Sequence, residues 1–94
     1  MDTQYIYILT NKSHTVLYVG RSKQLKQRLI QHKNNGKNTF TGKYNAHKLV
    51  YFETTKYVNN AIKRERQIKK WKREWKMNLI NGFNPDWKDL SEYI

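Results

Sequence analysis

Glu65 is the residue that packing explains least. It falls four residues after Ala61, three after Ile62 and three before Ile68, which sets its carboxylate in the apolar stripe of a helix. A carboxylate there is costly unless it is ion-paired or holds a metal ion. This chain has many Lys and Arg for the first role, and a divalent cation would suit the second. Arg28 and His32 form a similar pair, one helical turn apart at the edge of a narrow stripe of Leu25, Leu29 and Ile30. The ordinary explanation is an Arg snorkelling from a core rim beside a hydrogen-bonded His. The alternative is an Arg poised to clamp a phosphate. Tyr5, Tyr7 and Tyr18 suit a half-buried sheet face. A phenol beside several cations could instead act as a general base, although an unperturbed pKa near 10 leaves only about one molecule in a thousand ionised at pH 7.

The elements that must position these groups are short. Gln4 to Leu9 and Thr15 to Val19 are rich in Ile, Val and Tyr and flank the polar run Asn11-Lys12-Ser13-His14, a hairpin pattern with a loop of about four residues. Pairing Thr10 with Thr15 sets Tyr7 opposite Tyr18, and a one-residue slip would send the two tyrosines to opposite faces. Gly20 closes the second strand. Ser22 caps a helix from Lys23 to Lys33, which Asn34-Asn35-Gly36 ends. Residues 34–45 lack periodicity and read as a mobile loop. His47 to Glu53 reads as a third strand. A helix beginning at Thr54 or Thr55 follows, with Val58, Ala61, Ile62, Ile68 and Trp71 on its apolar face. A further helical stretch includes Trp75, Leu79 and Ile80, and Asn81 to Pro85 breaks it. The fold class is therefore α/β (α+β): a small three-stranded, mainly antiparallel sheet flanked by helices, in the order β-β-α-β-α-α.

Composition narrows the function. The chain has 94 residues, 19 Lys+Arg against 7 Asp+Glu and a formal net charge of +12. One domain, residues 1–94, accounts for that length. Cysteine is absent, which excludes disulfide staples and thiolate metal sites. No run approaches the roughly 18 apolar residues of a membrane span. The start shows no signal-peptide pattern, and cytoplasm is the default compartment. Residues 21–33 carry +5 and residues 61–80 carry +6. Such an excess points to a polyanionic partner, nucleic acid before a membrane surface. Trp71, Trp75 and Trp87 read as core, leaving Phe40 and Tyr44 as the better base-stacking candidates.

Tyr5-Ile6-Tyr7, Tyr18-Val19-Gly20, the run Arg21 to Leu29, Ala61 to Lys70 (AIKRERQIKK) and Asn84 to Leu90 (NPDWKDL) together resemble the GIY-YIG nuclease family, in the right order and over nearly the whole chain. The resemblance implies a domain that hydrolyses phosphodiester bonds. Glu65 would hold one Mg²⁺ or Mn²⁺, which is acceptable chemically because Mg²⁺ keeps several waters and uses few carboxylates. Tyr7 or Tyr18 would be the general base, and Arg28 would bind the scissile phosphate with Arg21 beside it. Gly20 would allow close approach at the strand end, His32 would edge the substrate side, and Asn84 matches a family Asn near the site. The first motif departs in one place, since Tyr5 stands where the family has glycine.

Two readings result. The leading one is a metal-dependent endonuclease acting on DNA rather than RNA, on branched or damaged structures as in DNA repair. The other is a non-catalytic nucleic-acid-binding module, or a subunit active only with a protein partner that supplies specificity.

Overall fold

The computed structural model describes residues 3–34 and 39–94. Three strands form the sheet: β1 (Gln4–Thr10), β2 (Leu17–Ser22) and β3 (Lys48–Thr55). Four helices accompany it: α1 (Leu25–Asn34), α2 (Phe40–Tyr44), α3 (Val58–Lys70) and α4 (Arg73–Phe83), and a 3₁₀ turn at Ser91–Tyr93 ends the chain. Strand order is β2-β1-β3, with both pairings antiparallel. The first strand in sequence is thus the central one.

The hairpin register differs from the expected one by two residues. Thr10 faces Leu17 rather than Thr15, so Tyr7 faces Gly20 and Tyr18 faces Leu9. The loop is longer because Asn11 organises it: its Oδ1 accepts from the Thr15 backbone N–H at 2.8 Å, and His14 adopts a left-handed conformation with φ 57°. Asn and His tolerate such conformations better than β-branched residues do. A slip of two preserves side-chain parity, so Tyr7 and Tyr18 still share a face.

Alternation divides the core into two clusters. Tyr7, Leu9, Leu25, Leu29, Ala46 and Leu49 pack between the sheet and α1. Ile6, Ile8, Val19, Val50, Tyr51, Ala61, Ile68, Ile80 and Trp87 pack between the sheet and α3–α4. A bulge where Ile8 faces Tyr51 but Leu9 faces Leu49 leaves Val50 as the extra residue. It turns two successive residues, Val50 and Tyr51, into the second cluster.

Four local expectations are corrected. The first helix begins at Leu25, because Ser22 Oγ accepts from the Gln24 N–H (3.0 Å) in a preceding turn. Its expected terminators Asn35 and Gly36 lie outside the described residues. The stretch read as loop contains α2, begun by Thr39, whose hydroxyl accepts from the Gly42 N–H, and ended by Asn45 in the left-handed region. The second long helix starts at Val58, since β3 stays paired as far as Thr55 with Gln4. Trp75 is 53% exposed rather than core, whereas Trp87 is buried.

Candidate active site at the edge strand

The site is built around β2, an edge strand, and uses both of its faces. On the α1 face, Tyr7 lies across Gly20. A Cβ at Gly20 would sit 2.5 Å from the Tyr7 phenol carbon and oxygen, so glycine there makes room for the ring. That space is filled by Tyr7 itself. The Tyr7 hydroxyl is 3.1 Å from His32 Nε2, and His32 Nδ1 is 2.9 Å from Thr41 Oγ1. Both nitrogens of His32 are thereby engaged, at 3% exposure. The ring holds Tyr7 in place and is enclosed away from solvent.

Burial governs the protonation of this group. It pushes the Tyr7 phenol up to about 12; Arg28 opposes the rise, and Tyr18 and Glu65 add to it. Burial, then Arg28 and His47, lower the pKa of His32, so its neutral form is favoured. In the tautomer with Nδ1 protonated, Nδ1–H donates to Thr41 Oγ1 and Nε2 accepts the Tyr7 hydroxyl proton.

Tyr18 stands beside this relay and is half-buried. Its ring centroid is 6.4 Å from Tyr7, 5.3 Å from His32 and 5.9 Å from Phe40, on which it stacks. Arg28 is exposed on α1 and donates from Nη1 to Gln31 Oε1 at 3.2 Å. Its interaction with the Tyr7 hydroxyl raises its pKa, with burial opposing and Tyr18 assisting. The helical spacing of Arg28 and His32 therefore brings a cation and an imidazole to the same two phenols.

The other face of β2 carries Arg21, which meets α3. Glu65, 18% exposed at its side chain, has Oε1 3.5 Å from Arg21 Nε and Oε2 3.1 Å from Lys69 Nζ. The Arg21 Nε–H is enclosed yet lacks a well-aligned acceptor, while Nη1 reaches Gln4 Oε1 at 3.5 Å. Glu65 thus has the ion pair that spacing allowed. No cluster of three or more His, Asp or Glu suited to a metal occurs among the described residues. Its donor set is one half-buried carboxylate, which fits a cation that retains most of its waters. A groove of about 270 Å³ lined by Tyr18, Phe40, Lys69 and Lys76 runs over the edge strand and joins the two faces.

Asn84 is elsewhere. Its Nδ2 donates to the Val50 carbonyl (3.1 Å) and the Lys88 carbonyl (2.8 Å), and its Oδ1 accepts from the Lys88 N–H (3.1 Å). Both amide hydrogens and the carbonyl are engaged within the fold, at β3, two strands from β2. Thr41 was not placed at the site by sequence reasoning, which named its neighbour Phe40 only as a base-stacking candidate; the available signal was the Thr39 cap and the Asn45 stop around a five-residue helix.

Comparison with known proteins agrees with this arrangement. A family model described as the GIY-YIG catalytic domain matches residues 3–78. A UPF0213 protein of Staphylococcus saprophyticus is 37% identical over 81 residues, covering 86% of this chain and 98% of the relative. A UPF0213 protein of Syntrophus aciditrophicus is 38% identical over 90 residues, covering 92% and 98%. The solution structure of a UPF0213 protein from Bacillus halodurans shares the fold, with a TM-score of 0.59 at 20% identity over 96% of this chain and 95% of that one. With its two tyrosine motifs on paired strands, its Arg on the following helix and its Glu on α3, the chain belongs to the GIY-YIG nuclease family.

Proposed function

We propose that the chain is a metal-dependent endonuclease that hydrolyses phosphodiester bonds in DNA, with branched or damaged DNA as its substrate. The observation that carries this reading is the convergence of Tyr7, Tyr18, Arg28 and His32 on one face of β2, with Arg21 and Glu65 on the other. Buried apolar sheet faces do not gather two phenols, an imidazole and a guanidinium without a use for them.

Roles follow from exposure and partners. Arg28 is free to reach solvent and would bind the scissile phosphate and offset the charge that develops on it. Tyr18 is the phenol nearer solvent, and we assign it as the base. In the step, a water oxygen forms a bond to phosphorus, its proton passes to Tyr18 acting as general base, and the opposite P–O bond breaks with its electron pair leaving on oxygen. Tyr7, held near 12 and tied to His32, is neutral at pH 7 and orients the site. Arg21, with an enclosed N–H lacking an aligned acceptor, lies 3.5 Å from Glu65 Oε1 and positions that carboxylate. Glu65 would hold Mg²⁺ or Mn²⁺, which when bound supplies positive charge to the phosphate and the leaving oxygen.

One observation favours the second reading, a non-catalytic nucleic-acid-binding module or a subunit awaiting its partner: both Glu65 oxygens already face cations. The discriminating experiment is cleavage of supercoiled plasmid, branched DNA and single-stranded RNA by the wild type and Glu65→Ala, each with Mg²⁺, Mn²⁺ or EDTA. Cutting by the wild type alone, abolished by EDTA, supports the nuclease. Salt-sensitive binding without cutting supports the module or subunit.

A further inference from the structure

A cleft of about 720 Å³ lies away from the phenols, between the hairpin loop, the end of α1, the end of α2 and the start of β3, and Lys12, Lys33, Tyr44, His47, Lys48 and Asp89 contribute to its wall. Its three lysines make no ion pair among the described residues. Lys48 Nζ donates to His14 Nε2 at 3.1 Å. The one acid is occupied structurally: Asp89 Oδ1 accepts from the Leu49 and Ser91 N–H groups at 3.4 and 3.0 Å. His47 Nδ1 is enclosed and has no hydrogen-bond partner. Three ammonium groups without an ion pair, against one carboxylate, make the wall a setting for an anion.

Position says which anion. Lys48 pairs with Thr10, three residues along β1 from Tyr7, or about 10 Å at the usual rise of a strand. That distance places the cleft within a few nucleotides of the phosphate that Arg28 would bind. Exposed rings bridge the interval. Tyr18 stacks on Phe40 at 5.9 Å, and Phe40 meets Tyr44, which lines the cleft, at 4.9 Å.

We propose that this cleft is a second phosphate-binding site, which grips the backbone of a nucleic-acid strand whose intervening nucleotides pass over Phe40 and Tyr44. The inference rests on the nucleic-acid reading of the family site but not on cleavage. Arg28 selects the phosphate to be cut, and the lysine cleft holds the same strand at a distance, independently of sequence.

The test measures binding of a fluorescent single-stranded DNA dodecamer by anisotropy in EDTA, across a salt series. Lys12→Gln/Lys33→Gln alters two exposed cleft residues. Lys56→Gln/Lys88→Gln, two exposed lysines outside the cleft wall and outside both basic blocks, matches its charge change. The cleft variant should bind about tenfold more weakly, with a log–log salt slope shallower by about 1.4, two contacts at about 0.7 each for a single strand. The control should keep the wild-type slope, and the dodecamer should shift the His47 ring resonances by NMR in the wild type. Equal slope changes in both variants, or an unchanged slope with a stationary His47, would overturn the second site while leaving the nuclease assignment standing. A wild type that binds no dodecamer overturns both.

Discussion

The two faces of β2 hold their polar groups by different physics. On the α1 side, Tyr7, His32 and Thr41 form an enclosed hydrogen-bonded relay in which each group is fixed by the next. On the α3 side, Glu65 is held by two cations, one of them a lysine with more than half of its side chain exposed. The first arrangement is completed by folding and resists change, because an unpaired buried polar atom costs about 1–3 kcal/mol. The second is only partly enclosed, and its exposed pair with Lys69 contributes only about 0–1 kcal/mol. One face fixes geometry and the other remains open to a ligand. That division suits a site whose cation and substrate both arrive from solution.

If the division is right, chemistry should fail without folding on the open side. Glu65→Ala there, and Tyr18→Phe on the α1 face but outside the enclosed relay, should each lower the cleavage rate by about a hundredfold to ten-thousandfold, with urea-unfolding midpoints close to the wild type. A plasmid-nicking time course and a denaturation curve on the same preparations check this. A Glu65→Ala protein that cuts at the wild-type rate would break the comparison outright.

The enclosed side should show the opposite signature. Tyr7→Phe leaves His32 Nε2 facing a ring with no hydroxyl, and should cost about 1–3 kcal/mol of stability. Gly20→Ala places a methyl group 2.5 Å from the Tyr7 phenol, and overpacking of that kind costs about 1–3 kcal/mol. Chemical denaturation reads both.

A smaller effect depends on pH. The folded-state pKa of His32 is depressed, so folding binds fewer protons than unfolding does. Its contribution is complete above the unfolded value of 6.5 and is lost as pH falls towards and through the folded pKa. His14 is lowered too, by burial and then Lys48, and acts with the same sign. Stability should therefore fall on acidification below about 6.5, and His32→Gln should flatten part of the slope, with His14→Gln removing a further part. Thermal melts at stepped pH measure it. The smallest change is expected for Lys69→Ala, whose exposed pair with Glu65 should alter stability by no more than about 0.5 kcal/mol.

What could be seen in the sequence was whatever depended on spacing within one element. Arg28 and His32 one turn apart, and Glu65 on a stripe with Ala61 and Ile68, kept their relations in the fold because helical geometry is local. The face shared by Tyr7 and Tyr18 also survived, although their pairing did not. Register was set by Asn11 and His14, whose loop hydrogen bonds and left-handed backbone no alternation pattern records. Trp75 was read as core on a further helical stretch with Leu79 and Ile80, of which only Ile80 is fully buried. α3 stops at Lys70 and α4 begins at Arg73, so the phase resets and the indole turns outward. Asn84 kept its motif position but spends its amide on Val50 and Lys88, a distribution of hydrogen bonds that sequence does not disclose.

The central place of β1 also has a consequence in time. A two-stranded hairpin is marginal alone, and β1 gains its second neighbour only when β3 is made, some forty residues later. The hairpin loop is then pinned from further away still, since Arg73 Nη2 donates to the His14 carbonyl at 2.7 Å and the Trp87 ring lies 4.6 Å from that of His14. During synthesis from the N-terminus, the first strand to emerge therefore waits for nearly the whole chain before its surroundings are complete. The tyrosine-bearing hairpin precedes the elements that complete its surroundings by some forty to seventy residues.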